Sequence, residues 1–321
     1  RLTGKSTESS NNLSNPLSIL VPPDKIIPVS IISPINSGGV DSMELTSELW
    51  TTRAETEKFK KNFNKFKITE FNYVYFGFNL NNELFKDKKI RKAINYAINK
   101  DEIIQGVKKG LAVRTSGPYI PGTWAYNDSD DVEKYDYNPE TAKKLLSEAG
   151  WQMENDGFIH KQGKKFEFTI VTNQGNKERE EIATIIQQQL SKIGIKAEVR
   201  ILAWNILLTE FIDKKKFDAV VMGWSTGLDP DNYDIWHSSK NKEGEFNFIS
   251  YKNAEVDKLL IAARTTFDVN KRTGAYKKIH KIIADDSPYV FLYCPYGLPA
   301  VHKRFHGIEP APAGISYNFT K

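Results

Sequence analysis

Across 321 residues there is one cysteine, Cys294, so no intrachain disulfide can form and a thiolate zinc site is excluded. A chain of this length can bury a sizeable core without covalent staples, so the scarcity says nothing about compartment. No apolar run approaches the ~20 residues that a membrane-spanning helix needs. Charge of one sign is not in excess either: 45 basic residues stand against 40 acidic ones, a net of +5. Basic runs such as Lys214-Lys215-Lys216 and Lys277-Lys278 are short and flanked by acids or apolar residues. A nucleic-acid binder concentrates its cations on one face or arm, so no nucleic-acid partner is expected. Arg1-Leu2-Thr3-Gly4-Lys5-Ser6 does not read as a signal peptide.

The motifs of common chemistries are missing as well. The five histidines, His160, His237, His280, His302 and His306, share no metal-ligand spacing. His302 and His306 are four apart, but Pro299 and Gly307 argue against a helix presenting both on one side. No Gly-x-x-x-x-Gly-Lys-Ser/Thr, Gly-x-Gly-x-x-Gly or Gly-x-Ser-x-Gly pattern occurs, and Cys294 has no evident base partner. Asp229, Asp231 and Asp234 fail as a calcium loop because Pro230 interrupts them and no glutamate follows at the twelfth position. No cofactor and no metal are expected.

What is present is an alternation of strands and helices. Residues 1–24 read as a flexible lead, and two short β-like runs follow, Lys25–Ile32 and Ser42–Leu45. A basic helical stretch runs from about Glu55 to Lys67. Tyr73–Leu80 is aromatic and β-prone, while Ile90, Ala93, Ile94, Ala97 and Ile98 form one helical stripe. A second short helix is expected from Asp101 to Lys109, stopping at Gly110. Asn138-Pro139-Glu140 supplies an N-cap, a proline at the first helical position and an acid in the first turn. Phe166, Phe168 and Ile170 then alternate as a strand, Ile182 to Ile193 marks a helix, and Ile195–Ile201 reads as a second strand. The two strands should be parallel. Trp204–Asp213 is expected as a helix and Phe217–Trp224 as a buried strand. Two helices, Ala254–Thr265 and Asn270–Asp285, precede the apolar run Tyr289–Tyr293. The pattern predicts an α/β fold, a mixed sheet flanked by helices.

Four tryptophans lie beside loops: Trp124, Trp204, Trp224 and Trp236. In open α/β sheets ligands bind beyond the carboxyl ends of the strands. Aromatics at such junctions suit a roomy cleft, so Trp204 and Trp224 are expected to face one.

Several segments resemble extracellular solute-binding proteins serving peptide and nickel ABC importers (family 5). Tyr75-Phe76-Gly77-Phe78-Asn79 and Ile90-Arg91-Lys92-Ala93-Ile94-Asn95-Tyr96-Ala97-Ile98-Asn99 are similar to the family's hinge strand and the helix after it. Gly117-Pro118-Tyr119-Ile120-Pro121-Gly122 is similar to its proline-rich loop, and Tyr137-Asn138-Pro139-Glu140-Thr141-Ala142 to its signature helix. Gly223-Trp224, Asp229-Pro230-Asp231-Asn232-Tyr233, Asn247…Tyr251, Arg272…Tyr276 and Ser287-Pro288-Tyr289 follow in the family's order.

The resemblance implies a lobe of the periplasmic-binding-protein type (class II, cluster C): a remnant of a first lobe at 25–76, a complete ligand-binding lobe at 77–293 and a return segment at 294–321. It implies capture of oligopeptides outside the membrane, by closure of two lobes, and delivery to an ABC permease. An oligosaccharide or a nickel chelate is the alternative cargo. It further implies a monomer, extracytoplasmic in location, as a surface lipoprotein or in the periplasm. Ligand contact is expected from Asn79, Trp204, Trp224, Asp229, Asp231, Asn232, Asn247 and Tyr293. In peptide-binding relatives an aspartate after the tryptophan holds the peptide's amino group. Here Gly227 stands at that place, which leaves Asp229 or Asp231 for the role, or a ligand without a free amine. No catalytic residue is expected. A glycosidase built on Asp229 and Asp231 is a weaker reading, because Pro230 points the two carboxylates differently.

Overall fold

The computed structural model describes residues 40–311 and 314–315. Its strands in chain order are β1 (Ser42–Glu44), β2 (Phe63–Lys65), β3 (Ile68–Thr69), β4 (Asn72–Phe78), β5 (Ala112–Arg114), β6 (Gln152–Met153), β7 (Ile159–Lys161), β8 (Lys164–Lys165), β9 (Glu167–Asn173), β10 (Lys196–Leu202), β11 (Ala219–Ser225), β12 (Tyr289–Gly297) and β13 (Pro299–His302). The main sheet has seven strands in the order β10-β9-β11-β4-β12-β3, with β5 on the far half of β12. β9 runs parallel to both β10 and β11, whereas β4 is antiparallel to β11 and β12. The sheet is therefore mixed, and helix Lys177–Ser191 makes the crossover between the parallel β9 and β10. The expected neighbours β4 and β12 pair Tyr289 with Gly77 and Phe291 with Tyr75.

Side chains on a strand alternate between faces, and here both faces are covered. Tyr73 and Tyr75 enter one core with Val220, Met222, Trp224 and Tyr289. Phe76 and Phe78 enter the other with Ala219, Val221, Val290 and Leu292. Both faces being apolar explains why β11 reads as one continuous hydrophobic run. A register shift between Phe291 and Tyr293 breaks the alternation on β12. The bulge carries Tyr293 into the second core, away from the face that holds Tyr289 and Phe291. A third, small core of Leu45, Ala54, Phe59, Phe63, Leu111, Leu298 and Ala300 sits by the sheet β1-β13-β2.

Helix signals in the sequence mostly act as they should. Helix Lys88–Ala97 buries Ile90, Ala93, Ile94 and Ala97, and its cap Asp87 accepts from the amide of Lys89. Asn138 caps helix Pro139–Glu148 by accepting from the Thr141 amide. Lys109 takes the left-handed C-cap of helix Lys100–Lys108. Two expectations need correction. The basic helix ends at Asn62, because Phe63–Lys65 pairs instead with β13 and Phe63 fills the small core. The helix expected over 204–213 is α-helical only for Trp204–Ile206 and continues as a π-turn, Leu207–Ile212, a form that widens a helix by one residue per turn. The lead, residues 1–24, and the run Lys25–Ile32 lie outside the described residues.

At the carboxyl end of β4 the buried Asn79 closes a tight corner. Its Nδ2 donates to the carbonyls of Lys215 (3.0 Å) and Phe217 (2.7 Å), and its Oδ1 accepts from the Asn81 amide at 3.1 Å. Lys215 itself has φ of 54°, a left-handed conformation costly for a non-glycine residue. Asn79→Ala strands two carbonyls and one amide. It is expected to lower stability by about 2–3 kcal/mol, read as a fall in the urea midpoint with an unchanged denaturant slope.

Candidate functional site

The parallel strands β9 and β11 direct their carboxyl ends toward one side of the sheet, and β4 begins on that side. There the loop after β11 is stitched to the segment before β4: the Thr226 amide donates to the Phe71 carbonyl at 2.7 Å, and the Thr226 hydroxyl to the same oxygen at 3.1 Å. A second loop, from Ser116 to Tyr126, comes alongside. Asn232 joins the two, its Nδ2 donating to the Pro118 carbonyl at 3.2 Å. Between them runs a groove lined by Phe71, Pro118, Tyr119, Trp124, Leu228 and Asn232 among others. It is shallow, and Leu228 and Trp124 stay 66% and 39% exposed. A groove at the carboxyl ends of strands, with exposed apolar side chains on its rim, is the ordinary setting for a ligand site in this architecture.

Electrostatics fix the rim. Arg272 Nη2 donates to both carboxylate oxygens of Asp229 at 2.8 Å, and Arg264 Nε pairs with Asp231 at 2.9 Å. Donating to the Asp229 carboxylate raises the pKa of the Arg272 guanidinium above its ordinary value. Arg272 also lies 5.4 Å from the Trp124 ring and 5.6 Å from Tyr276, while Arg264 covers Tyr233 at 4.2 Å. The loop is thus clamped onto helices Ala254–Arg264 and Val269–Asp286 by two Asp–Arg pairs, each backed by an aromatic ring.

This arrangement brings together only part of the expected set. Asp229, Asp231 and Asn232 lie at or beside the groove. Trp224 does not face it: the side chain is fully buried, its Nε1 3.3 Å from the Tyr289 hydroxyl and its ring packed on Phe246 and Phe248. Two flanking aromatics fill the space between Trp224 and solvent, which single-residue reading of a strand end cannot foresee. Trp204 is half-buried against the same core. Asn247 is a loop staple, donating to the carbonyls of His237 and Tyr251 and accepting from the Tyr251 amide. Asn79 serves the opposite end of β4, and the β12 bulge sends Tyr293 to the other face. Asp229 and Asp231 are each paired with their own arginine. Their arginine partners were not foreseen: Arg264 was visible in sequence only as surface charge, and Arg272 only as part of a family motif, both more than thirty residues from the loop.

Residues 30–246 match the family described as bacterial extracellular solute-binding proteins, family 5 Middle. The chain belongs to that family. It is 43% identical over 269 residues to the oligopeptide-binding protein AppA of Bacillus subtilis, covering 82% of this chain and 49% of that protein. To the dipeptide-binding protein of Escherichia coli it is 30% identical over 261 residues, covering 79% of this chain and 46% of that protein. Among solved structures, AppA of Bacillus subtilis in complex with a nonapeptide superposes with a TM-score of 0.77 at 39% identity, over 90% of this chain and 57% of the other. NikZ from Campylobacter jejuni in complex with Ni(L-His) gives 0.74 at 27% identity, over 91% and 58%. The chain spans about half the length of the family 5 relatives it matches. Among the described residues no helix is long and apolar enough to cross a membrane, and no group of three metal-ligating side chains occurs.

Proposed function

We propose that this chain contributes one wall of a peptide-enclosing cleft in the substrate-capturing component of an ABC importer. The observation that carries the reading is the groove between the Pro118–Trp124 loop and the Thr226–Asn232 loop, apolar in its lining and held open by two Asp–Arg clamps. Residues 77–293 form the ligand-binding lobe, and the flanking segments belong to the opposing one. Its relatives named for oligopeptide and dipeptide binding support a peptide as cargo. The cleft works without chemical turnover: closure expels water and satisfies the peptide backbone. A monomer outside the cytoplasm, held by a lipid anchor or free in the periplasm, docks its closed form on the permease.

With both loop carboxylates engaged by arginines, an incoming ammonium has to displace a guanidinium to gain an anionic partner. The groove therefore suits the backbone and apolar side chains of a peptide better than its charged terminus. The test is calorimetry with pooled oligopeptides of graded length, beside Ni(L-His) and maltooligosaccharides. Peptides should bind with saturation, and Trp124→Ala should weaken them about tenfold, as the loss of an exposed aromatic anchor does. Saturable binding of only the nickel chelate or only the oligosaccharide overturns the peptide reading.

A further inference from the structure

A second cavity among the described residues lies elsewhere. It is an open pocket of about 440 Å³, lined by Asn79, Asn81 and Asn82 after β4, by Phe217 and Asp218 before β11, and by Thr169, Val171, Arg200, Phe211, Lys215 and Lys216. These positions flank the opposite ends of β4 and β11 from Phe71 and Thr226. Both strands have seven residues, so at ~3.3 Å per residue the two sites stand roughly 20 Å apart. Its volume falls within the ordinary range of small-molecule sites, about 300–1,000 Å³.

Three cations and one carboxylate line the cavity, and the carboxylate is already satisfied. Asp218 Oδ1 accepts from Asn82 Nδ2 at 2.7 Å and its Oδ2 from the Thr169 amide at 2.9 Å. Lys215 Nζ donates to neutral oxygens, the carbonyl of Asn241 and the Ser250 hydroxyl, so its charge meets no anion there. Farther out, Glu245 and Lys252 act on it with opposite sign. Arg200 lies 5.0 Å from the centre of the Phe211 ring, and the Lys216 amide bonds the Phe211 carbonyl at 2.8 Å, which ties the backbone of Lys216 to that residue. The acids nearest in sequence are taken: Glu198 pairs with Lys196 at 3.2 Å and Glu210 with Lys214 at 2.6 Å. Among the described residues neither Arg200 nor Lys216 has a carboxylate at ion-pair distance.

We infer that this cavity binds a phosphoryl group, with Arg200 and Lys216 as its principal contacts and the Asn81–Asn82 segment on its wall. Three cations stand against one spent carboxylate in the lining, with Glu210 acting on Lys216 from beyond ion-pair distance, so the lining carries a positive excess. A phosphomonoester at neutral pH supplies the matching charge, about −1.5 to −2, and three strong acceptor oxygens. Arg200, beside the Phe211 ring, offers the planar fork that phosphate oxygens accept in pairs. The Asn79 staple fixes the backbone on either side of Lys216, and the π-turn that contains Phe211 places that ring beside Arg200.

The phosphoryl group can belong to a soluble ester or to a lipid headgroup, and two arms of one experiment separate them. Glycerol 3-phosphate is titrated into the 321-residue chain, with glycerol as the neutral control, while cosedimentation is measured with vesicles containing phosphatidic acid or phosphatidylcholine alone. Saturable binding in either phosphoryl arm is expected, at least about tenfold weaker in Arg200→Ala/Lys216→Ala and weakened further by salt. Both side chains are exposed, so the thermal midpoint of the variant should not move. Peptide binding in the distant groove should not move either, which keeps the two proposals separable. No saturable response in either arm, equal binding by glycerol, or equal binding by the double variant overturns the inference.

Discussion

Trp224→Ala is expected to lower the unfolding free energy by about 3–5 kcal/mol, the usual loss when a fully buried tryptophan is truncated. The indole fills the centre of one core, against Tyr75 at 6.4 Å and Phe246 and Phe248 at 5.7 Å each. Removing it leaves a cavity bounded by sheet residues that cannot collapse inward, and it strips the Tyr289 hydroxyl of its Nε1 donor at 3.3 Å. Trp224→Phe keeps most of the volume and should lose far less. Urea unfolding of both variants, with the peptide affinity of whatever remains folded, distinguishes core from cleft. A variant of unchanged midpoint but weakened peptide binding would return Trp224 to the ligand-contact role that its place at a strand end implied.

Lys100→Met is expected to work in the other direction and to depend on pH. Lys100 is buried, its Nζ 3.3 Å from the Lys134 carbonyl and 5.8 Å from the Tyr135 ring, with no carboxylate in contact. Desolvation first, and then the Arg114 charge, lower its pKa from 10.5 to about 7; Asp136, Asp101 and Glu133 oppose this from a distance. Arg114 meanwhile claims Asp101 at 3.3 Å and Asp136 at 2.8 Å. Between pH 7 and 10.5 the unfolded chain holds a proton that the folded chain has released, so stability rises with pH across that window. Below pH 7 the lysine is charged in both states and the burial penalty is fully present. A methionine of similar length avoids it. The variant should be more stable by about 3 kcal/mol at pH 6, with the difference shrinking steadily toward pH 10.5. Thermal or urea midpoints measured for both proteins at several pH values decide it. A pH-independent difference would mean that Lys100 keeps an ordinary pKa through contact with water.

The legible parts of this fold are those written in local periodicity and capping. The stripe Ile90, Ala93, Ile94, Ala97 and the caps Asp87 and Asn138 lie where a reader of sequence would put them. Where tertiary pairing competed with local preference, local reading lost. Phe63–Lys65 left a helix for a strand because β13 offered it backbone partners and a small core. The candidate site was legible as two loops, because turn residues and strand ends are local. Its clamps were not, because Asp229–Arg272 spans 43 positions and surface charges carry no mark of their partners.

By itself the sequence determined the class of architecture, a mixed α/β sheet, from the order of apolar periods, caps and turns along the chain, and its motifs carried the resemblance to the family. Tertiary structure alone decided which side chains face the groove. Trp224 ends a strand at a loop, and the family resemblance implied ligand contact for Asn247 and Tyr293 too, yet packing puts all three inside. The reason is that burial depends on what arrives from elsewhere in the chain: Phe246 and Phe248 over Trp224, the carbonyls of His237 and Tyr251 around Asn247, and a one-residue slip in β12 beneath Tyr293.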